Sequence, residues 1–164
     1  MRLWLKLILG LSVTLHVYAG AVETGQPAPE CSIRSLDDTA TPLALRPTGQ
    51  VTLVDFWASW CGPCAKSFPF LNDLSHVHGD HGLTVIGINM DEQRKDASRF
   101  LARHPVEFKV VADADAQCAK AFGVKAMPSS YLVDRYGIVR HIHLGFRQGD
   151  SKTIRQIVEQ LLDE

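Results

Sequence analysis

The feature that most constrains this chain is an apolar run that opens at Val51 and leads to two cysteines, Cys61 and Cys64. A short run rich in β-branched and aromatic residues predicts a buried strand of a parallel sheet. Gly62 and Pro63 stand between the cysteines, and the fixed φ of proline suits the first turn of a helix. The stretch therefore predicts a strand that delivers a dithiol to the start of a helix.

The predicted place of Cys61 at a helix start has a chemical consequence. Unpaired backbone N–H groups and the positive end of a helix dipole favour a thiolate. We expect Cys61 to be the exposed attacking thiol and Cys64, one turn inside, to be the shielded thiol that closes a disulfide with it. Cys-x-x-Cys pairs also serve c-type haem and zinc. Ala65 instead of His follows Cys64, and a second spaced pair is absent, so both readings are disfavoured.

The Trp-Cys-Gly-Pro-Cys segment at residues 60–64 resembles the active-site sequence of the thioredoxin superfamily, and Pro69 matches the proline inside the first long helix of that fold. The resemblance implies an α/β thioredoxin fold, in which helices flank a central mixed sheet. It also implies that Trp60, Gly62 and Pro63 contact the substrate.

Two further positions acquire a role through this resemblance. Pro128, preceded by Met127, matches the cis-proline of the superfamily, where the backbone of Met127 would lie beside Cys61 and pair with an extended substrate segment. Asp55, six residues before Cys61, matches the buried aspartate of thioredoxin that helps to deprotonate the second cysteine. Burial would raise the pKa of such a carboxyl into a range useful for proton transfer. The alternative is a polar residue of the strand with no catalytic part.

The flanking regions resemble the exported TlpA-type and ResA-type reductases. Residues 31–36 and 42–45 predict an N-terminal β-hairpin extension, and residues 92–104 predict a central helical insertion. Asp91 is interpreted, with the Glu that follows it, as an acid that complements the dipole of the inserted helix. ResA-type proteins place an acid three residues after the second cysteine, where this chain has Ser67, so we do not expect a proton relay of that kind.

Hydrophobic periodicity and turn residues predict the remaining elements. The N-terminal part of the chain is also similar to that of peroxiredoxins. Those proteins place Thr three residues and Pro seven residues before the reactive Cys, where this chain has Ala58 and Val54, so peroxidase chemistry is disfavoured. The predicted helices span residues 64–77, 114–122 and 151–162, and the predicted strands span 83–89, 106–111, 129–133 and 138–144.

The first 21 residues predict a secretory signal peptide. A positively charged start, an apolar stretch over 7–13 and an Ala-Gly-Ala cleavage pattern at 19–21 make up that signal. The apolar stretch is shorter than the roughly 18–20 residues of a spanning helix, although an uncleaved anchor remains the alternative. We therefore expect a periplasmic protein, in a compartment where disulfides persist.

The length and net charge of the chain limit the number of domains and the kind of partner. The 164 residues, 46% of them apolar, suffice for one domain with a proper core, which we place at residues 22–164. A formal net charge of −1 gives no reason to expect a nucleic-acid partner, and we expect a monomer.

The remaining thiols and histidines invite further hypotheses. Cys31 and Cys118 could form a disulfide in an oxidising compartment, but two small buried apolar residues are the favoured interpretation. A histidine cluster at 76–81 and the pair His141 and His143 are interpreted as exposed polar positions, so we expect no metal site.

These observations predict an exported thiol-disulfide oxidoreductase without a cofactor other than its own redox-active disulfide. The Gly-Pro pair between the cysteines is that of thioredoxin, whose potential of roughly −270 mV favours reduction over the about −120 mV of a strong oxidase. The resemblance implies a membrane electron donor of the DsbD or CcdA kind and a disulfide-containing client protein, with apocytochrome c as the first candidate. A disulfide-donating oxidase or isomerase and a copper(I) metallochaperone remain alternatives.

Overall fold

The computed structural model describes residues 20–31, 33–36 and 49–164 as six strands and four α-helices. A single 3₁₀ turn, Gly79–His81, follows the first helix. The strands are β1 (Arg34–Ser35), β2 (Val51–Trp57), β3 (Leu83–Asn89), β4 (Lys109–Ala112), β5 (Ser129–Val133) and β6 (Val139–Leu144), and the helices are α1 (Gly62–His78), α2 (Arg94–Arg103), α3 (Gln117–Phe122) and α4 (Asp150–Asp163).

The strands form one mixed sheet in the order β1-β4-β3-β2-β5-β6. The parallel unit is β2, β3 and β4, whereas β5 runs antiparallel to β2, β6 to β5, and β1 to β4. The apolar runs of β2 and β3 stand at the centre because both faces of a central parallel strand are buried. The predicted α/β fold with a central mixed sheet is confirmed.

Side chains of β2 alternate between two hydrophobic cores, one on each face of the sheet. Leu53 and Trp57 belong to the core that α1, α2 and α4 cover, which we call the α1 face. Val54 and Phe56 point to the opposite core, which contains α3 and the N-terminal segment. On the α1 face the indole of Trp57 packs against two phenylalanine rings, one from α1 and one from α2. This packing anchors the carboxyl end of β2, from which the chain continues into the cysteine pair.

Several predicted boundaries change in the structure. β3 and β5 occupy their predicted residues, while β4 begins three residues late and α3 begins at Gln117 instead of residue 114. The late start of α3 has a local cause, because the carboxylate of Asp113 accepts hydrogen bonds from the N–H groups of Cys118 and Ala119 and holds the preceding residues in a turn.

The N-terminal extension is only partly described. Its strand, Arg34–Ser35, pairs antiparallel with β4 at the edge of the sheet. The predicted partner strand at 42–45 and residues 1–19 of the predicted signal peptide lie outside the described residues. Within the described ranges, every helix is too short or too polar to cross a bilayer.

Cys31 and Cys118 form a disulfide, so the favoured interpretation of two unpaired buried residues is wrong. The two residues are 87 positions apart in the sequence. They meet because the N-terminal segment packs, through Val22, Ala28 and Ile33, on the same core as α3.

Candidate active site

Cys61 and Cys64 lie where the sequence predicts them, at the junction of β2 with α1. Cys61 has extended backbone angles and is the N-cap of α1, and its sulfur accepts a hydrogen bond from the N–H of Cys64 at 3.2 Å. Pro63 lies in the first turn, which contains no acidic residue to offset the helix dipole. The backbone therefore presents its positive end to the sulfur of Cys61, the environment that favours a thiolate.

The two cysteines are joined as a disulfide and differ only slightly in exposure. Cys61 is 4% exposed and Cys64 is completely buried. In this oxidised form Cys61 is thus less accessible than the sequence predicts, although it is more exposed than Cys64, as expected. The rim of the site is accessible, since Trp60 is 71% exposed and Gly62 and Pro63 are exposed as well.

Met127 and Pro128 lie at the same end of the sheet. The peptide bond between them is cis. Phe56 of β2 pairs with Ser129, so Pro128 stands beside the carboxyl end of β2, from which the chain enters the cysteine loop. Pro128 is buried and its carbonyl accepts a hydrogen bond from Gly145, whereas Met127 is half-buried. Pairing of Met127 with a substrate segment stays a prediction.

Asp55 is completely buried on the α1 face, between Leu53 and Trp57, and thus on the side of the sheet that Cys64 packs against. One carboxylate oxygen accepts a hydrogen bond from the hydroxyl of Ser130 at 2.6 Å, and the other has no hydrogen-bond partner. Burial raises the pKa of Asp55 to about 7, against a smaller lowering effect of the Ser130 hydroxyl. A carboxyl with such a pKa can accept or release a proton near neutral pH.

Asp91 has a function that the sequence analysis missed. Its carboxylate accepts hydrogen bonds from both the N–H and the hydroxyl of Ser59 and from the side-chain amide of Asn89, at 2.8–3.2 Å. The interpretation of Asp91 as an acid at the start of the inserted helix is wrong, because α2 begins only at Arg94 and Asp91 faces the loop that follows β2. This buried carboxylate holds the backbone two residues before Cys61.

Ser67 of α1 and two histidines of β6 contact other groups of the protein. The hydroxyl of Ser67 donates to the carbonyl of Cys64 at 3.0 Å, and Ser67 is buried. The rings of His141 and His143 stack at 6.0 Å, and His143 bonds to Asp150 at 2.9 Å. Both histidines are half-buried, so their interpretation as exposed positions is wrong.

Comparison with known proteins adds an independent observation to this geometry. The family model described as redoxin matches residues 23–161. The chain belongs to the redoxin family. It is similar to the thiol-disulfide oxidoreductase ResA of Geobacillus thermodenitrificans, with 28% identity over 151 residues that cover 88% of this chain and 86% of that protein. It is also similar to the thiol:disulfide interchange protein DsbE of Allochromatium vinosum, with 35% identity over 73% of this chain and 66% of that one.

Solved structures agree with the sequence relatives. A candidate thiol:disulfide interchange protein DsbE from Chlorobium tepidum superimposes with a TM-score of 0.81 and 38% identity, covering 87% of this chain and 99% of that one. This redoxin is thus a ResA-type member of the thioredoxin superfamily and a thiol-disulfide oxidoreductase with one Cys-x-x-Cys pair.

Proposed function

We propose that this redoxin is an exported reductase that transfers two electrons from its Cys61/Cys64 dithiol to a disulfide in a client protein. The observation that carries the proposal is the placement of Cys61 as the N-cap of α1, with Cys64 buried behind it and Asp55 on the same face of the sheet. Apocytochrome c is the first candidate client, as the resemblance to ResA-type reductases implies.

The reaction proceeds in two exchange steps. The Cys61 thiolate attacks one sulfur of the client disulfide, forms a mixed disulfide and releases the first client thiolate. Cys64 then loses its proton, and its thiolate attacks the Cys61 sulfur, which releases the second client thiolate. Asp55, with a pKa of about 7, accepts that proton in this proposal. The client disulfide is reduced by two electrons, and the protein is left with the Cys61–Cys64 disulfide.

Turnover requires a second dithiol that reduces this disulfide again. An oxidising compartment does not supply one, so a membrane electron donor of the DsbD or CcdA kind completes the cycle. The dithiol carries both electrons, and the proposal therefore needs no cofactor or metal. We place the protein in the periplasm, released or tethered by its N-terminal segment, and acting as a monomer.

Reduction is preferred over oxidation because Gly62 and Pro63 are the residues that thioredoxin has between its cysteines. The measurement that decides direction is the reduction potential of the Cys61–Cys64 pair against glutathione. A value of about −250 mV or lower supports a reductase, and a value above about −150 mV would reassign the protein as a disulfide donor. Tight copper(I) binding without insulin reduction would instead favour a metallochaperone.

Single-cysteine variants test the roles of the two thiols. Only Cys64 is placed to resolve the mixed disulfide, so Cys64→Ala should accumulate client adducts that are visible on a non-reducing gel and cleared by added thiol. Cys61→Ala should form essentially none. Cys118→Ala is the matched control, because it removes a cysteine of the other disulfide. Adducts formed by Cys61→Ala at the level expected for Cys64→Ala would refute the assignment.

A further inference from the structure

A groove of about 420 Å³ lies between α2 and the loop that leads into Cys61. Its lining residues are Ser59 from the loop and Asp96, Arg99 and Arg103 from α2. Consecutive Cα atoms are 3.8 Å apart, so the Cα of Ser59 lies within about 8 Å of that of Cys61. A protein chain whose cysteine reacts at Cys61 is therefore within reach of this groove.

The loop wall of the groove is held in place by hydrogen bonds within the protein. Asp91 accepts from both the N–H and the hydroxyl of Ser59, and Asn89 holds the carboxylate of Asp91 in turn. A preformed wall lowers the ordering cost that a partner must overcome on binding.

The helix wall of the groove has two arginines and one aspartate, so it is positively charged overall. The α2 sequence RKDASRFLAR contains four cationic residues and one acid, whereas the whole chain has a formal net charge of −1. Lys95, Arg99 and Arg103 follow one another at four-residue intervals and so share one side of the helix. Arg99 is 69% exposed and pairs with Asp96 at 3.3 Å. Arg103 donates to the carbonyl of Arg99, and in the part of the chain that the structure describes no carboxylate pairs with it.

We propose that this groove binds an acidic, extended segment next to the reacting cysteine of the disulfide partner. The inference rests on the proposed exchange function and adds the chemistry that selects the partner. Guanidinium groups pair with carboxylates through two parallel hydrogen bonds, which favours an Asp or Glu over a neutral residue. An extended chain advances about 3.3 Å per residue, so the acids are expected two to four residues from the cysteine. The helix from Asp96 to Arg103 is about 10 Å long, which leaves room for two carboxylates.

A pair of disulfide-linked peptides tests the inference. They are identical except for two Asp or two Asn residues at the second and third positions from the cysteine. The second-order rate of their reduction is measured with the reduced protein at 20 and 300 mM NaCl. We expect the wild type to reduce the Asp peptide about 5–10 times faster than the Asn peptide at low salt, and less than twice as fast at high salt, because the charges are exposed and screened.

Matched variants separate groove binding from intrinsic peptide reactivity. The double variant Arg99→Gln/Arg103→Gln should lose the preference for the Asp peptide and keep the Asn-peptide rate within twofold. Lys120→Gln, an exposed position of α3 on the opposite face of the sheet, should keep the preference. Because aspartate also changes the reactivity of the peptide disulfide, the Asp/Asn rate ratio is compared between wild type and variant.

A binding measurement distinguishes failure of the inference from failure of the proposed function. Peptides with Ser in place of Cys are titrated into the oxidised protein by calorimetry, where no exchange occurs. At least fivefold tighter binding of the Asp peptide, lost in the double variant, supports the groove even if neither disulfide peptide is reduced. The inference would be overturned if the two peptides bound with equal affinity or if the preference survived the double substitution. It would also be overturned by α2-dependent binding to phosphatidylglycerol vesicles that the Asp peptide does not compete with.

Discussion

Replacement of Asp55 by Asn should remove a pH-dependent cost from the folded protein. Burial raises the pKa of this carboxyl from 3.8 to about 7, so the folded state prefers the protonated form. Below about pH 3.8 the group is protonated in both the folded and the unfolded state, so there is no ionisation cost to the folded state. Above about pH 7 it is ionised in both, and the folded state bears the full cost of a buried carboxylate, about 4 kcal/mol from the pKa difference. Stability contributed by this group therefore falls as pH rises from about 4 to about 7.

The amide of the Asn variant does not titrate, but it has its own cost. Ser130 can still donate to the remaining carbonyl oxygen, whereas the new NH₂ group replaces an oxygen that has no partner. An unpaired buried amide costs about 1–3 kcal/mol at every pH. The difference in the free energy of unfolding between variant and wild type at a single pH therefore contains both the amide cost and the ionisation cost. Only the ionisation cost changes with pH, so the change of this difference with pH measures the titration of Asp55.

The assay is urea unfolding of the oxidised protein at pH 4.5 and pH 8. Between these values the free energy of unfolding of Asp55→Asn, relative to wild type, should rise by about 3 kcal/mol. Ser130→Ala is the matched control. The Ser130 hydroxyl lowers the pKa of Asp55, so its removal should shift the loss of stability to higher pH without abolishing it. The free energy of unfolding of Asp55→Asn relative to wild type could instead change by less than about 0.5 kcal/mol between pH 4.5 and pH 8. That result would show that the pKa of Asp55 is not raised in the folded protein.

The remaining predictions concern the active-site loop and the second disulfide. Asp91→Ala leaves the half-buried donors of Ser59 and the buried amide of Asn89 without their acceptor and should lower the free energy of unfolding by about 2–3 kcal/mol, with slower reduction of a disulfide substrate. Asp91→Asn, which keeps one acceptor oxygen, should recover about half of each effect. Cys118→Ala opens a link between residues 87 positions apart and should cost roughly 4–5 kcal/mol in urea unfolding on the chain-entropy model, with turnover nearly intact. Unchanged stability of Cys118→Ala would mean that its bond to Cys31 does not constrain the unfolded chain.

Local chemistry explains why much of the fold is readable from the sequence. The strand at Val51 and the helix start at Cys61 depend on neighbouring residues, namely a β-branched run and a proline in the first turn. The start of α3 was misplaced because the Asp113 carboxylate accepts hydrogen bonds from the N–H groups of Cys118 and Ala119, which have no acceptor inside the helix, and so caps a helix that begins at Gln117. This capping is local, but hydrophobic periodicity does not report it.

Contacts across strands were less accessible to sequence reasoning. Ser130 reaches Asp55 across 75 residues because β5 pairs with β2 in the register that sets these two residues opposite each other. Asp91 reaches Ser59 across 32 residues because β2 and β3 end side by side. Neither serine stands out in the sequence, since nothing in its neighbours indicates which distant strand will lie beside it.

The sequence by itself determined the strand, the helix start and the order of the two cysteines, because each depends on residue types within one helical turn or one strand. The thioredoxin-type scaffold followed from the resemblance of the segment at residues 60–64 to a known family. Only the tertiary structure decided which polar groups serve that dithiol. The pKa of Asp55 comes from complete burial by several elements, the loop before Cys61 is fixed by an acid from the next strand, and the basic groove exists because α2 packs beside that loop. Burial and strand register bring together residues that are far apart in the chain, and these two properties belong to the packed molecule as a whole.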